Sequence, residues 1–159
     1  MTMRERRSNE IESAAGATPS EAKHYEEHSI RELRAAGYRI TMPRVQVIRA
    51  LGDTRTALSA YAIHEKIITG GGKIDVVSVY RILSTLQEVG VIHHIGIVDG
   101  YFPCRVADCQ GKRSEVIVSE ASGEVTEVRL SQDIIDIIER EAKAHGFQVN
   151  QIKIEVTTA

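Results

Sequence analysis

Cysteine is scarce in this sequence, with only Cys104 and Cys109 among 159 residues. Two cysteines are too few for a disulfide framework, and a reducing compartment would keep both as thiols. No apolar run approaches the ~18–20 residues that a membrane-spanning helix needs. The first 20 residues also lack an apolar stretch that could act as a secretory signal. We therefore expect a cytoplasmic protein without a membrane partner.

Strong net charge is missing as well: the chain carries −2 at pH 7, which by itself argues against a nucleic-acid binder. The charges are unevenly distributed, however. Residues 28–100 hold nine Lys and Arg against six Asp and Glu, residues 1–27 four against six, and residues 101–159 seven against ten. A basic middle between acidic parts allows a DNA-facing module beside a module with another task.

Signatures of catalysis are also missing. The Gly70–Gly72 run precedes Lys73 instead of opening a helix after a strand, so it does not form a nucleotide-binding loop. Two cysteines and six histidines permit too many pairings for a nucleophile and its base to be argued from spacing. We expect a protein that is not an enzyme.

Helical patterning begins after a polar N-terminal tail. A short helix is expected from about Ile30 to Gly37, and a second from Thr41, with Pro43 in its first turn. A third helix is predicted over about residues 59–69. These segments place their apolar residues at helical spacing, which predicts a small helical core.

The fourth helix, VVSVYRILSTLQEV, carries the most information. Asp75 is a good N-cap for it, and Gly90 is a good C-terminal stop. One stripe at helical spacing belongs to a core: Val79, Ile82, Leu83, Leu86 and Val89. The opposite face carries Val77, Tyr80, Arg81, Ser84 and Glu88. Such a face suits DNA, because apolar groups contact thymine methyls and arginine holds phosphate or guanine.

A β-hairpin follows, since the apolar period changes to two after Gly90. VIHHIGIV and YFPCRV flank Asp99 and Gly100, a strong two-residue turn signal. Three helices followed by a hairpin is the winged-helix arrangement, in which the last helix enters the major groove and the hairpin lies against the backbone. Helix-and-hairpin modules also serve as protein adaptors, so the pattern alone leaves both functions open.

Residues 114–156 form a second unit. SEVIVS and EVTEVRL are predicted strands around a hairpin turn, and a helix capped by Ser131 runs to about Gly146. FQVNQIKIEV is predicted to be the last strand, with a bulge between Val149 and Ile152. A ββαβ unit of this size can hardly bury a core alone, so we expect a homodimer.

The predicted fold class is α+β, with a winged-helix DNA-binding domain followed by a small α/β (ββαβ) dimerisation domain. The expected boundaries are a mobile tail over 1–24, a winged helix over 25–107 with its wing at 91–106, a linker over 108–113 and a dimerisation domain over 114–159.

Several segments, in order, resemble the ferric uptake regulator superfamily between about residues 28 and 156. AAGYRITMPRVQVIRAL, SVYRILSTLQEVGVI and HGFQVNQIKIEV match its general pattern, although Ser78 replaces the Thr of the family's Thr-Val-Tyr-Arg. LSAYAIHEKI and VIHHIGIVDGYFPC look more like its zinc uptake regulator branch than its iron branch. The resemblance implies a dimeric, cytoplasmic repressor that binds a double-stranded DNA operator.

In this resemblance Tyr80 would read a base, with Arg81 and Arg44 near the DNA backbone. The full set of expected DNA-binding residues is Tyr80, Arg81, Arg44, Val77, Ser78, Ser84 and Thr41.

The resemblance also implies two metal sites, of which the structural one is degenerate. In the zinc branch, two Cys-x-x-Cys pairs hold a structural zinc, and the first pair falls at Ser119 and Ser122 here. The segment IEVTTA offers no cysteine for the second pair. Serine hydroxyls are poor zinc ligands compared with thiolates, so we expect the structural zinc to be absent.

The second implied site is the metal-sensing site. The family pattern places ligands at His93, Cys104 and Glu127, whereas the remaining histidine position falls near Lys112, which does not coordinate while charged. The resemblance thus implies one zinc, or another divalent transition metal, per subunit. Either Cys109 or Asp108 is available as a fourth ligand.

A second interpretation stays open. The chain could be a metal-independent relic that acts as an interaction or heterodimerisation partner of a related regulator. The modest positive charge of residues 28–100 leaves room for it.

Overall fold

The computed structural model of the chain describes residues 16–105, 116–119, 121–149, 152 and 154–156. The elements in chain order are α1 Pro19–Ala35, α2 Met42–Gly52, α3 Ala60–Thr69, α4 Val76–Glu88, β1 Ile92–Ile95, a 3-10 turn Gly96–Val98, β2 Gly100–Pro103, β3 Val116–Ser119, β4 Val125–Glu127, α5 Gln132–Ala144 and β5 Ile154–Val156. Within these ranges, no helix is both long enough and apolar enough to cross a membrane.

Helix α1 begins much earlier than the predicted start near Ile30. Thr18 and Glu21 form a capping box, in which the Thr18 hydroxyl accepts from the Glu21 N–H at 3.2 Å and the Glu21 carboxylate accepts from the Thr18 N–H at 2.7 Å. Pro19 occupies the first turn, where a missing N–H costs nothing. Residues 19–24, assigned to a tail from the sequence, are therefore helical.

Tyr25 ties α1 to the rest of the first unit. Its side chain is only 2% exposed, and its hydroxyl donates to the Val91 carbonyl at 3.0 Å. Burial raises the pKa of Tyr25, so the hydroxyl keeps the proton that it donates. Helix α1 is thereby fixed against the point where α4 leads into β1.

Helices α2, α3 and α4 surround one apolar core, as predicted. Its fully buried members include Val47, Ile48, Leu51, Ile63, Leu83 and Leu86. Ser59 caps α3 by accepting from the Ala62 N–H at 3.1 Å, and Asp75 caps α4 by accepting from the Ser78 N–H at 2.8 Å. The predicted core stripe of the fourth helix is confirmed except at Val89, which is only half-buried.

The wing is an antiparallel hairpin in which Ile92 faces Pro103 and Ile95 faces Gly100. The predicted two-residue turn at Asp99 and Gly100 is wrong. Residues 96–99 form the connection, Asp99 has φ 44°, and Gly100 is the first residue of β2. Glycine is needed at position 100 because a Cβ there would lie 2.8 Å from the Cβ of Ala57.

The second unit has the predicted ββαβ order. Its three-stranded sheet is ordered β4-β3-β5, with β3 antiparallel to β4 and parallel to β5. Helix α5 forms the crossover between β4 and β5. The predicted bulge between Val149 and Ile152 involves residues 150 and 151, which lie outside the described residues.

The two units meet at the wing and share a small core. Its members are Ile95 and Phe102 from the wing and Val116, Val118 and Val125 from the sheet. Beside it, the loop between α2 and α3 pairs with the second unit: Thr56 bridges to Glu124, and the Ala57 N–H donates to the Gly123 carbonyl at 3.3 Å. This junction brings β1, the end of β2 and β4 close together.

Candidate metal centre and DNA-facing surface

His93 points into the junction, whereas its neighbour His94 points away. His93 lies opposite Phe102 and is 4% exposed. The half-buried His94 instead contacts the Tyr101 ring at 4.9 Å and lies 3.5 Å from an Asp99 carboxylate oxygen. Because side chains alternate across a strand, only one of two adjacent histidines can face the second unit. The structure assigns that position to His93.

Cys104 reaches the same place from the end of β2. Its N–H donates to the Val91 carbonyl at 2.9 Å, which extends the hairpin by one bond and fixes the residue. The side chain is 1% exposed.

Glu127, the last residue of β4, comes from the second unit. One carboxylate oxygen lies 3.1 Å from Nε2 of His93, and the other accepts the Arg105 N–H at 2.7 Å. Burial is the main factor that lowers the pKa of Arg105, and the Glu21 and Glu127 carboxylates oppose it. Glu127 is therefore held by two groups of the first unit.

These three predicted ligands form one cluster. An imidazole nitrogen of His93, the sulfur of Cys104 and a carboxylate oxygen of Glu127 all lie within 4.8 Å of one another. Ligands in a tetrahedral zinc site lie about 3.5 Å apart, given metal–ligand distances of about 2.0–2.3 Å. The donor types fit zinc, and a small contraction would give three ligands plus one open position. The alternative fourth ligands, Cys109 and Asp108, and also Lys112, lie outside the described residues.

Cys104 is disulfide-bonded in this structure, which differs from the expectation of two thiols. Cys109, the only other cysteine in the sequence, is among the residues that are not described. Metals bind a thiolate and not a disulfide sulfur. A ligand role for Cys104 therefore requires that this residue be reduced first.

The hairpin serines take part in turn structure. The Ser119 hydroxyl accepts from the Ser122 N–H at 3.4 Å, and the Ser122 hydroxyl accepts from the Glu124 N–H at 3.3 Å. Gly123 has φ 71°, a left-handed conformation that favours glycine. The serine hydroxyls thus serve the turn backbone.

The outward face of α4 is as open as the sequence predicts. Val77 is 55% and Tyr80 44% exposed, and Arg81 and Ser84 are exposed beside them. The Ser84 hydroxyl donates to the Tyr80 carbonyl at 3.2 Å. Two large exposed apolar side chains next to a cation form a surface that can contact base edges.

Three other residues were predicted to face DNA: Ser78, Arg44 and Thr41. Two of them, Ser78 and Arg44, make side-chain contacts within the chain. The Ser78 hydroxyl donates to Asp75 at 2.8 Å, so it supports the start of α4. Arg44 donates to the Arg39 carbonyl at 2.6 Å, and its guanidinium lies 5.3 Å from the centre of the Tyr38 ring. Thr41 is the exposed N-cap of α2 and makes no side-chain capping bond.

Sequence reasoning missed Tyr61 as part of this surface. Tyr61, on α3, is 64% exposed and meets Tyr80 edge to face with ring centres 6.4 Å apart. Met42, at the start of α2, is also 64% exposed. The sequence signal for Tyr61 was its position in LSAYAIHEKI. It lies between the apolar-face residues Ala60 and Ile63, on the side of α3 that the helical pattern leaves exposed.

A winged helix joined to a ββαβ unit is the fold of solved uptake regulators, which combine an N-terminal DNA-binding domain with a C-terminal dimerisation domain. Residues 35–157 match the ferric uptake regulator family, and the chain therefore belongs to that family. It is a regulator of transcription and not an enzyme.

Relatives include both iron and zinc regulators. The ferric uptake regulation protein of Brucella abortus is 31% identical over 126 residues, covering 79% of this chain and 87% of that protein. The zinc uptake regulation protein of Escherichia coli is 26% identical over 117 residues, covering 74% of this chain and 68% of that protein. The structure of a zinc uptake regulator complexed with zinc and DNA shares the fold, with a TM-score of 0.75 at 22% identity over 89% of this chain and 93% of that one.

The cap of α4 gives a pH-dependent prediction. Hydrogen bonds from the N–H and hydroxyl of Ser78 hold the pKa of Asp75 below its ordinary value of 3.8. A lowered pKa means that the carboxylate stabilises the fold fully above pH 3.8 and loses this effect as the pH falls below it. We expect Asp75→Ala to lower Tm by about 2–4 °C at pH 7.

In thermal melts followed by circular dichroism, the difference in Tm between the wild type and Asp75→Ala should shrink below pH 3.8. Asp75→Asn is the control, because asparagine also caps helices well and should keep most of the wild-type Tm at pH 7. An Asp75→Ala deficit that is constant from pH 7 to pH 3 would contradict the charge-dependent part of this account.

Proposed function

We propose that the protein is a homodimeric, metal-responsive regulator that binds double-stranded DNA through α4. In this proposal His93, Cys104 and Glu127 hold one zinc, or another divalent transition metal, per subunit. The observation that carries it is the meeting of these side chains, from both units, in one largely buried cluster. Relatives named for iron and zinc uptake support a metal cofactor in general.

The DNA surface in this proposal combines two helices. Tyr80 and Val77 of α4 face base edges, with Tyr61 of α3 packed against Tyr80 and extending the surface. Arg81 contacts phosphate or guanine, and Arg44 lies towards the backbone. Ser84 and Thr41 are exposed beside this surface, whereas Ser78 contributes by fixing the start of α4.

A structural zinc is not part of the proposal. Ser119 and Ser122 occupy the hairpin positions where the resemblance expects two thiolates, and their hydroxyls accept bonds from the turn backbone. Neutral hydroxyls bind zinc weakly compared with thiolates. We therefore infer one metal per subunit instead of two, and a second unit that folds without metal.

A second copy of the chain is the proposed partner of the ββαβ unit. Ile134 and Ile137 lie on one side of α5 and are 45% and 55% exposed, and Phe147 just beyond α5 is 70% exposed. Apolar side chains left open on so small a unit favour burial in a dimer. We propose that this homodimer acts in the cytoplasm, where a reducing environment keeps Cys104 available as a ligand.

The alternative, a metal-independent heterodimerisation partner, predicts different behaviour. Such a relic would bind DNA only together with a related regulator and would be indifferent to zinc. The largely buried cluster of His93, Cys104 and Glu127, with Cys104 in its reduced form, favours the metal-responsive function instead.

Adjacent histidines provide a matched test of the metal site. We expect His93→Gln to weaken zinc binding at least about tenfold, because it removes a ligand. His94→Gln should bind like the wild type, because His94 faces away from the cluster. The measurement is zinc competition with a chromophoric chelator in the presence of a thiol reductant.

Glu127→Gln serves as a second variant that keeps the volume of the side chain, and circular dichroism checks that each variant folds. Equal zinc affinity of the His93 and His94 variants would rule out the proposed ligand set.

Salt dependence tests the DNA surface. We expect Arg81→Ala to weaken operator binding and to reduce the slope of log K against log salt by about one, since one phosphate contact is lost. Arg140→Ala makes the same charge change on α5 and should leave the slope unchanged. Fluorescence anisotropy with a DNA selected from random sequence measures both, and equal slopes for the two variants would exclude Arg81 from the interface.

A further inference from the structure

Arg105 connects the metal cluster to the DNA-binding unit through two different parts of the same residue. Its backbone N–H donates to the Glu127 carboxylate at 2.7 Å. Its guanidinium donates to the Gly52 carbonyl at 2.8 Å and to the Thr54 carbonyl at 2.9 Å. These carbonyls lie at the end of α2 and just beyond it, so one residue touches the last strand residue of β4 and the last turn of α2.

The guanidinium is well held at this position. Carbonyls at the C-terminal end of a helix carry partial negative charge, which favours a cation there. One guanidinium nitrogen, Nη2, donates to both carbonyls, one through each of its two hydrogens. The guanidinium also lies 5.5 Å from the centre of the Phe102 ring, in the wing.

We propose, building on the metal-responsive function above, that Arg105 is a positioning residue that couples the state of Glu127 to the position of α2. The backbone of Arg105 is joined to two proposed ligands. Cys104 is the preceding residue in the chain, and Glu127 accepts the Arg105 N–H. The donor atoms of the cluster all lie within 4.8 Å of one another, and when Cys104 and Glu127 move to ligand spacing around a metal, the backbone of Arg105 moves with them.

The side chain passes that movement to the DNA-facing surface. Helix α2 packs against α4 within one tightly packed core, so a shift of its C-terminal end changes how α4 is presented. The guanidinium of Arg105 contacts the end of α2, the segment just beyond it and the Phe102 ring. It therefore affects the coupling between metal and DNA and not the intrinsic affinity for either.

The test compares Arg105→Met with Arg55→Met. Methionine keeps the apolar part of the side chain and leaves the backbone N–H bond to Glu127 in place. Arg55 is the matched control, because it is a nearby cation whose side chain pairs with Glu21 at 3.0 Å. DNA affinity is measured by anisotropy with and without zinc, and zinc affinity is measured on the DNA-free protein, always under reductant.

We expect zinc to tighten DNA binding of the wild type and of Arg55→Met by about 5–150-fold. The coupling ratio is the DNA affinity with zinc divided by the DNA affinity without zinc. For Arg105→Met this ratio should fall below about threefold, while zinc affinity without DNA stays within about threefold of the wild type. In the metal-free protein, Arg105→Met should also speed hydrogen exchange in residues 52–57. Arg105→Lys, the more conservative change, keeps the positive charge near the α2 carbonyls and should give an intermediate ratio.

A merely structural role would lower Tm and both affinities but keep the ratio. A wild-type ratio in both Arg105→Met and Arg105→Lys therefore overturns this inference and leaves the proposed function standing. Equal DNA affinity of the wild type with and without zinc overturns the metal-responsive function, and this coupling falls with it.

Discussion

The Glu127 carboxylate holds the two units of the chain in register. One oxygen lies 3.1 Å from Nε2 of His93, and the other accepts the Arg105 N–H at 2.7 Å. Both partners belong to the first unit, whereas Glu127 ends β4 of the second. In a largely buried junction such charge-assisted bonds are strong, and their loss leaves polar groups unpaired. Together with the shared apolar core and the pairing of Thr56 with Glu124, this carboxylate fixes the orientation of the sheet relative to the wing.

In the proposed function, the same junction lets the candidate metal site and the proposed DNA surface influence each other without touching. The three candidate ligands lie between the wing and the sheet, and Tyr80 and Arg81 lie on the exposed face of α4. A packed core transmits small displacements as shifts of whole helices. We therefore expect a change at Glu127 to reach α4 through the wing, through α2, or through both.

Periodic and local sequence signals made much of the fold and of the candidate site predictable. The stripe of α4, its Asp75 cap and the ββαβ order follow from patterns within one element, and the meeting of the three candidate ligands followed from family spacing. The early start of α1 was missed because the capping box at Thr18 sits in an otherwise polar segment. The roles of Gly100 and Arg105 depend on contacts with Ala57 and with the end of α2, which are far away in sequence and leave no local pattern.

X-ray absorption spectroscopy at the zinc edge of the reduced, zinc-loaded protein tests the central claim most directly. His93, Cys104 and Glu127 predict one sulfur at about 2.3 Å together with nitrogen and oxygen ligands at about 2.0–2.1 Å. The same measurement on Cys104→Ser should lose the sulfur contribution. A zinc shell of nitrogen and oxygen alone in the wild-type protein would contradict the proposed centre.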